Sequence, residues 1–442
     1  MIKIFESSIR NRIYFAIIIL VLVYYAIISI NTVQWGDSGY YLNRIINGPM
    51  FLITLHPMGH HVYQFFAKIG GSLFGIYFIF AFNSICLLAS LFFMYKVAII
   101  LGKGTKPKLV YFLGFMLLHV VAFTTIHVEV YSLHLLLYVL GLYFLFQKSL
   151  RNFFLSGLFF SLSFGCHQMT GLVIPILFFW LIKNKKLNQI LILVFGFSLG
   201  LAFLFSSFWH FKDLGLFQEI RMFLTGASHS SLGWQGNLFS FLSFSPSNLL
   251  FLGVALFSLI NPATFGFVIN ASKTKEIKLL KWVAWIFLFF ALTYNFPDKF
   301  TFLLPFLSIA TILSSINNFD KFEQNEGLIL VVYLLPIVVS LTLYFLNPKI
   351  NAQQQSRLKN LELRDEFLYY GFPWIKDNSS TIFAVKYFNF TQMKYPIYAD
   401  YNVASCLRSA QISYPEYIKE TFLAIKSKSY YPLILFFLYL VW

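Results

Sequence analysis

Residues 13–41 read IYFAIIILVLVYYAIISINTVQWGDSGYY, and the change of character inside this stretch sets the reading of the whole chain. Ile13 to Ile30 carry no charge, and a run of that length crosses a hydrocarbon core of about 30 Å as a helix. Lipid cannot satisfy an open backbone, so helix is the conformation such a run adopts. Lys3, Arg10 and Arg12 give it a basic lead-in. It exceeds a typical signal-peptide apolar region and lacks a small-residue cleavage site, which predicts a retained first span. After Asn31 the chain turns polar and reaches Asp37, Ser38 and Gly39.

The pattern of the first span recurs along the chain. Hydrophobic residues make up 58% of the 442 and charged residues 11%, a balance that excludes an ordinary soluble domain. Apolar blocks bounded by basic clusters predict spans near 13–30, 71–95, 109–126, 132–147, 152–165, 169–182, 189–209, 246–270, 282–295, 300–316 and 327–346. The expectation is an all-α polytopic membrane protein with about eleven helices. Three blocks, 152–165, 169–182 and 282–295, are shorter than the bilayer core, so they extend into their loops, thin the bilayer or enter without crossing.

The basic residues orient this layout, because cytoplasmic loops collect Lys and Arg. With the N-terminus in the cytoplasm, the inner connections hold seventeen Lys or Arg and the outer ones before residue 347 hold five: Arg44, Lys68, Lys212, Arg221 and Lys299. The net charge of +16 is therefore spread between apolar spans and does not form one basic surface for nucleic acid. Residues 1–346 are read as the membrane domain. Residues 347–429, with eleven Lys or Arg and seven Asp or Glu, are read as a small extracytoplasmic α/β segment. Residues 430–442 form a last short apolar stretch. Cys86, Cys166 and Cys406 lie far apart and give no disulfide framework or zinc spacing.

Acidic groups beside membrane spans are costly, which makes their positions informative. Seven precede residue 317, and the layout puts Asp37, Glu129, Asp213, Glu219 and Asp298 on the outer side. Asp37 can accept a proton from an incoming hydroxyl or coordinate a metal; by residue type alone Asp-Ser-Gly reads first as a helix N-cap. In LHPMGHH, His56, His60 and His61 offer a phosphate ligand when protonated and a metal ligand when neutral, while His-Pro-Met-Gly also reads as a plain turn. His127 and Glu129 share a connection of a few residues in TTIHVEVYSLH. There they orient a substrate or form a buried pair that fixes two helix ends. His167 and Gln168 fall at another outer turn, where a core histidine satisfied by a carbonyl is the plain alternative. In YNFPDKFTFLLP, Asp298 and Lys299 stand at the outer mouth of the tenth span. Lys299 can meet a lipid-linked phosphate or simply snorkel, and Arg221 has the same two readings. A divalent metal is compatible with these residues, and none of them requires one.

The order GDSG, His56-Pro57-Met58-Gly59, Glu129-Val130-Tyr131, Gly157 to His167 and PDKFTFLLP resembles membrane glycosyltransferases of the GT-C superfamily. Within it, the resemblance is to a bacterial family related to the eukaryotic transmembrane protein O-mannosyltransferases, and it runs from Trp35 to Pro305. It implies a GT-C fold, a polyprenyl-phosphate-linked sugar such as mannose as donor, and a protein or glycan acceptor on the non-cytoplasmic face of the cell membrane. It also implies catalytic roles for Asp37 and Glu129. A pocket contributed by His56, His60, His127, His167, Gln168, Arg221, Asp298 and Lys299 would then hold the substrates among membrane lipids. Met58 and His60 depart from the commoner family pattern. A polysaccharide polymerase or ligase uses the same carriers on the same face. A transporter would place its charges nearer the bilayer midplane, and a structural subunit would not need acids and histidines gathered at one rim.

Overall fold

Every regular element among the described residues is helical. The computed structural model describes residues 2–31, 38, 41, 45, 60–103, 105–147, 149–206, 255–270, 274–293, 299–317 and 325–346. The segments at 347–429 and 430–442 lie outside them, with the strand expectation for the first.

Helix α1 (Ile2–Asn31) contains the first predicted span, and Ile9–Ser29 is long and apolar enough to cross a membrane. Its outward face carries Phe15, Leu20 and Ile27, while Ile18, Leu22 and Tyr25 turn into the bundle, the division expected of a lipid-facing helix with one packed stripe. The second predicted span begins later than the apolar run suggests. Helix α2 (His61–Phe74) ends at Gly75, whose φ of 92° suits a residue without a Cβ, and α3 (Ile76–Gly102) follows in a new direction. Tyr77–Gly102 is the second helix of crossing length.

The predicted span at 109–126 is broken. Helix α4 (Leu109–Leu117) and helix α5 (His119–Ile126) meet at an extended Leu118 with a bend of 64°. The sequence there has no proline; the break is held from outside. A carbonyl freed at the end of α4 needs a donor, and the Tyr25 hydroxyl of α1 donates to Met116 O at 2.7 Å. By length and apolarity this pair makes a third span if counted as one.

Helices α6 (Tyr131–Leu145), α7 (Leu150–Cys166), α8 (Ile174–Asn184) and α9 (Leu187–Ser206) stand where spans were expected. Ser149 caps α7 by accepting from Asn152 N, and α8 is preceded by a 3-10 turn over Gln168–Leu172. Helices α7 and α9 touch backbone to backbone: a Cβ at Gly157 would strike the Leu193 carbonyl, and one at Gly196 the Phe154 carbonyl. Small residues at helix contacts substitute for the hydrophobic drive that lipid does not provide.

The later spans are corrected in their bounds. The block 246–270 is interrupted: residues 255–259 are helical, and helix α10 (Pro262–Ile269) starts afresh after Asn261, whose side chain accepts from Thr264 N, with Pro262 in the first turn. Helix α11 (Lys275–Thr293) begins well before residue 282, so the apparent shortness of that span disappears. A 3-10 turn over Lys299–Leu303 leads into α12 (Leu304–Ser315), which is buried along its whole length, and α13 (Glu326–Leu346) follows.

The two ends of the bundle differ. At one, Arg10 pairs with Glu326 at 3.3 Å, Tyr14 donates to the same carboxylate, and Lys108 Nζ reaches Asn317 O. The other, beyond the far ends of α1 and α5, holds the candidate site.

Candidate active site

The site is built on the four-residue connection between α5 and α6, which carries His127, Val128, Glu129 and Val130. Glu129 N–H donates to His127 O at 2.8 Å, closing a tight turn that sets the acid at the mouth of the helix pair. Glu129 is 8% exposed, and Ser38 Oγ donates to its Oε1 at 2.6 Å. That contact ties the polar segment after α1 to the connection. Ser38 follows Asp37 in sequence; Asp37 itself lies outside the described residues.

His60 enters from α2. It stands before the first turn of that helix with φ 40° and ψ 38°, a left-handed conformation that strains a residue with a Cβ. Its Nδ1 lies 2.7 Å from Cys166 O, so the carbonyl fixes the proton on that nitrogen and Nε2 of the neutral ring is an acceptor. The ring stacks on His167 at 5.5 Å between centroids and meets Tyr41 edge-on at 5.3 Å. Tyr41 also touches Tyr63, whose phenol is pushed well above its ordinary range by burial and then by the charge of Glu129. Tyr63 therefore stays protonated as a neutral wall of the site.

His167 ends α7 and accepts from Met169 N at Nδ1 (3.2 Å), which leaves the proton of its neutral ring on Nε2. Tyr131, His134 and Phe302 surround it at 5.3, 5.7 and 5.5 Å. Below it, His134 Nε2 lies 2.9 Å from Thr170 Oγ1, Thr170 lies 2.8 Å from Ser163 Oγ, and Ser163 donates to His134 O at 3.3 Å. Only one polarity satisfies all three contacts: His134 Nε2–H to Thr170, Thr170 to Ser163, and Ser163 back to the His134 carbonyl. This ring locks the 3-10 turn that follows His167 to both neighbouring helices.

The predicted residues thus separate. Glu129, His60 and His167 join one buried network. His127 turns back onto its own helix, with Nδ1 at 2.9 Å from Phe123 O and its ring on Phe123 at 4.3 Å. Glu129, two positions on, accepts from Ser38 instead. Gln168 opens the 3-10 turn beside His167, and its buried Nε2 has no hydrogen-bond partner among the described residues. Lys299 opens the other 3-10 turn. Asp37, His56, Arg221 and Asp298 lie outside the described residues. No three His, Cys, Asp or Glu side chains among the described residues are grouped to hold a metal ion.

Residues not singled out in the sequence also belong to this end. Ser38, Tyr41, Tyr131 and His134 line or support it. Lys68, two turns along α2 from His60, is the one buried Lys or Arg among the described residues, and burial lowers its ammonium to about 8. A histidine and a lysine inside otherwise apolar helices were the available signal.

No protein-family model matches this chain, and no curated protein matches it. Among solved structures it is similar to ArnT from Cupriavidus metallidurans bound to undecaprenyl phosphate, with a TM-score of 0.52, 10% identity, and 95% of this chain and 76% of that chain covered. It is similar to the same protein in the apo state with a TM-score of 0.51 and 11% identity, over the same shares. At that identity the likeness is one of fold. The chain is a helical membrane protein with a fold like that of ArnT.

Proposed function

We propose that this protein is a membrane glycosyltransferase that moves a sugar from a polyprenyl-phosphate donor to an acceptor on the non-cytoplasmic face. The observation that carries the reading is the buried Glu129 carboxylate, held by Ser38 at the end of the bundle where His60 and His167 also gather. A carboxylate and histidines at one end, with a buried cation farther along α2, suit transfer from a phosphate ester. The fold supports it further, since ArnT, with the same architecture, has been crystallised bound to undecaprenyl phosphate.

In the reaction the acceptor hydroxyl oxygen bonds to the sugar C1 as the C1–O bond to phosphate breaks. The hydroxyl proton passes to a carboxylate, Asp37 or Glu129, acting as general base. The phosphate departs with the bonding electron pair and meets positive charge and N–H donors. Lys68 and His167 Nε2–H serve there, with His56, Lys299 and Arg221 as the further candidates from the sequence. The motif resemblance makes mannose the first sugar to test and a protein the first acceptor. A polysaccharide polymerase or ligase would use the same end of the bundle with a different acceptor.

The test uses the full chain in lipid nanodiscs. C55 polyprenyl phosphate should raise its unfolding temperature while the C55 alcohol does not, and polyprenyl-phosphate mannose or another lipid-linked hexose should be consumed with release of polyprenyl phosphate. Asp37→Asn should abolish that release at unchanged membrane abundance. Equal stabilisation by phosphate and alcohol, with no donor consumed, overturns the reading. Glycan and glycoprotein mass spectrometry of a deletion strain then identifies the transferred sugar.

A further inference from the structure

Asn83 is an amide inside the apolar helix α3, two turns from its start and 2% exposed. Such a group is expensive in a membrane unless it is fully used. Its Nδ2 lies 3.2 Å from Thr124 O, 2.6 Å from His127 O and 3.1 Å from Glu129 O. Two N–H bonds are thus spread over three main-chain oxygens, all at the end of α5 or in the connection that bears Glu129. The final carbonyls of a helix have no partner within it, and Ser132 Oγ shares the task by donating to Thr124 O at 3.0 Å.

We infer that Asn83 is the positioning residue for Glu129: its amide fixes the main chain that carries the carboxylate, while Ser38 fixes the carboxylate itself. The two constraints come from different helical regions, so the acid is held between α3 and the segment after α1. Asn83 touches no reacting atom in this arrangement. The placement stands on geometry alone, and only its effect on turnover rests on the proposed glycosyl transfer. The Tyr63 hydroxyl lies beside the Asn83 side chain. Neither Tyr63 Oη nor Asn83 Oδ1 makes a hydrogen bond among the described residues. The titratable groups around this point are Tyr63 of α2, His127 and Glu129 of the connection, Cys86 of α3 and Cys166 of α7.

Two variants of the full chain in nanodiscs test the inference. Asn83→Leu removes the donors at similar volume. Loss of about one net hydrogen bond speeds amide hydrogen exchange in residues 128–131 by roughly tenfold. With lipid-linked hexose as donor, kcat falls on the order of a hundredfold, the effect of a misplacement near 1 Å, while KM stays within about twofold. Asn83→Asp supplies a donor only as the neutral acid, since an ionised carboxylate would face three carbonyl oxygens. Its activity should therefore rise as pH falls, a limb missing from the wild-type profile. A plain helix-end plug would lower abundance without adding that limb.

Unchanged exchange in Asn83→Leu together with a wild-type pH profile in Asn83→Asp overturns the inference. If Asn83→Leu does not accumulate, the Asn83→Asp profile decides by itself. If the wild type consumes no lipid-linked hexose, glycosyl transfer fails as the function, and the exchange rates still decide whether Asn83 holds the connection.

Discussion

The two ends of this helical bundle solve the problem of membrane-edge charge in opposite ways. At the Arg10 end, ionic groups stay near water: the guanidinium is 52% exposed and pairs with a Glu326 that is 16% exposed. At the Glu129 end, the acid, His60 and His167 are all buried, each within 8% exposure or less, and Lys68 farther along α2 is buried to the same degree. Burial of charge has no value for the fold by itself, since each ion loses several kcal/mol of solvation. The contrast teaches where to seek chemistry: one end keeps charge cheap, and the other keeps it concealed inside a network of rings and hydroxyls.

The sharpest way to break this contrast is to neutralise the buried acid. Glu129→Gln keeps shape and the contact with Ser38 but removes the carboxylate. Turnover of a lipid-linked hexose should fall on the order of a thousandfold, within the range for a general base or its partner. Membrane abundance should hold. Retained turnover would move the chemistry away from the α5–α6 connection.

Lys68 should give the next largest effect. Lys68→Met is expected to weaken binding of C55 polyprenyl phosphate by roughly tenfold to a hundredfold, the weight of one charge-assisted contact. Titration provides an independent check. Burial places Lys68 at about 8 in the folded chain against 10.5 for the free side chain. Between those values the unfolded chain holds more protons at this site, so the Lys68 contribution to stability rises with pH from about 8 to 10.5 and is least favourable below 8. Comparing unfolding temperatures of wild type and Lys68→Met across that window should reveal the rise in wild type alone. A bound phosphate restores the charged form, so binding near pH 9 should take up protons, measurable by calorimetry in buffers of different ionisation enthalpy.

These experiments concern residues that were legible in the sequence to different degrees, for physical reasons. The helical membrane class followed from apolar block length, and α1, α6, α7 and α13 stand where the blocks predicted. Glu129 was legible because an acid in a turn between two apolar runs has few plain explanations. The break at Leu118 was not, because no local residue causes it: Tyr25, more than ninety positions upstream, supplies the missing hydrogen bond. Asn83 and His134 were missed since neutral polar residues do not interrupt an apolar average, although the cost of burying each one is itself a signal. The two side chains of the His127–Glu129 turn, equal in the sequence, differ in the fold: His127 lies on Phe123 O and Glu129 accepts from Ser38.

A smaller effect should come from the ring beneath His167. Thr170→Val breaks it and leaves the buried His134 Nε2–H without an acceptor, a cost of about 1–3 kcal/mol. The unfolding temperature should drop, and turnover should fall severalfold through the loosened turn at His167. Thr170→Ser keeps the hydroxyl and should restore both. A drop in stability with turnover untouched would make the ring a packing device only.

The smallest effect belongs to the opposite end, and it tests whether the contrast between the ends is real. Arg10→Ala removes a half-exposed ion pair, and pairs of that kind contribute about 0.2–1 kcal/mol. Glu326 would keep the Tyr14 hydroxyl, which donates to it at 2.9 Å, so the acid is not stranded. Turnover should stay within about twofold of wild type, with a slight fall in unfolding temperature that shrinks as salt screens the pair. A large loss of turnover would mean that the join between α1 and α13 controls the far site. The bundle would then transmit strain from its basic end to Glu129, and the ends could not be treated as separate solutions to the same electrostatic problem.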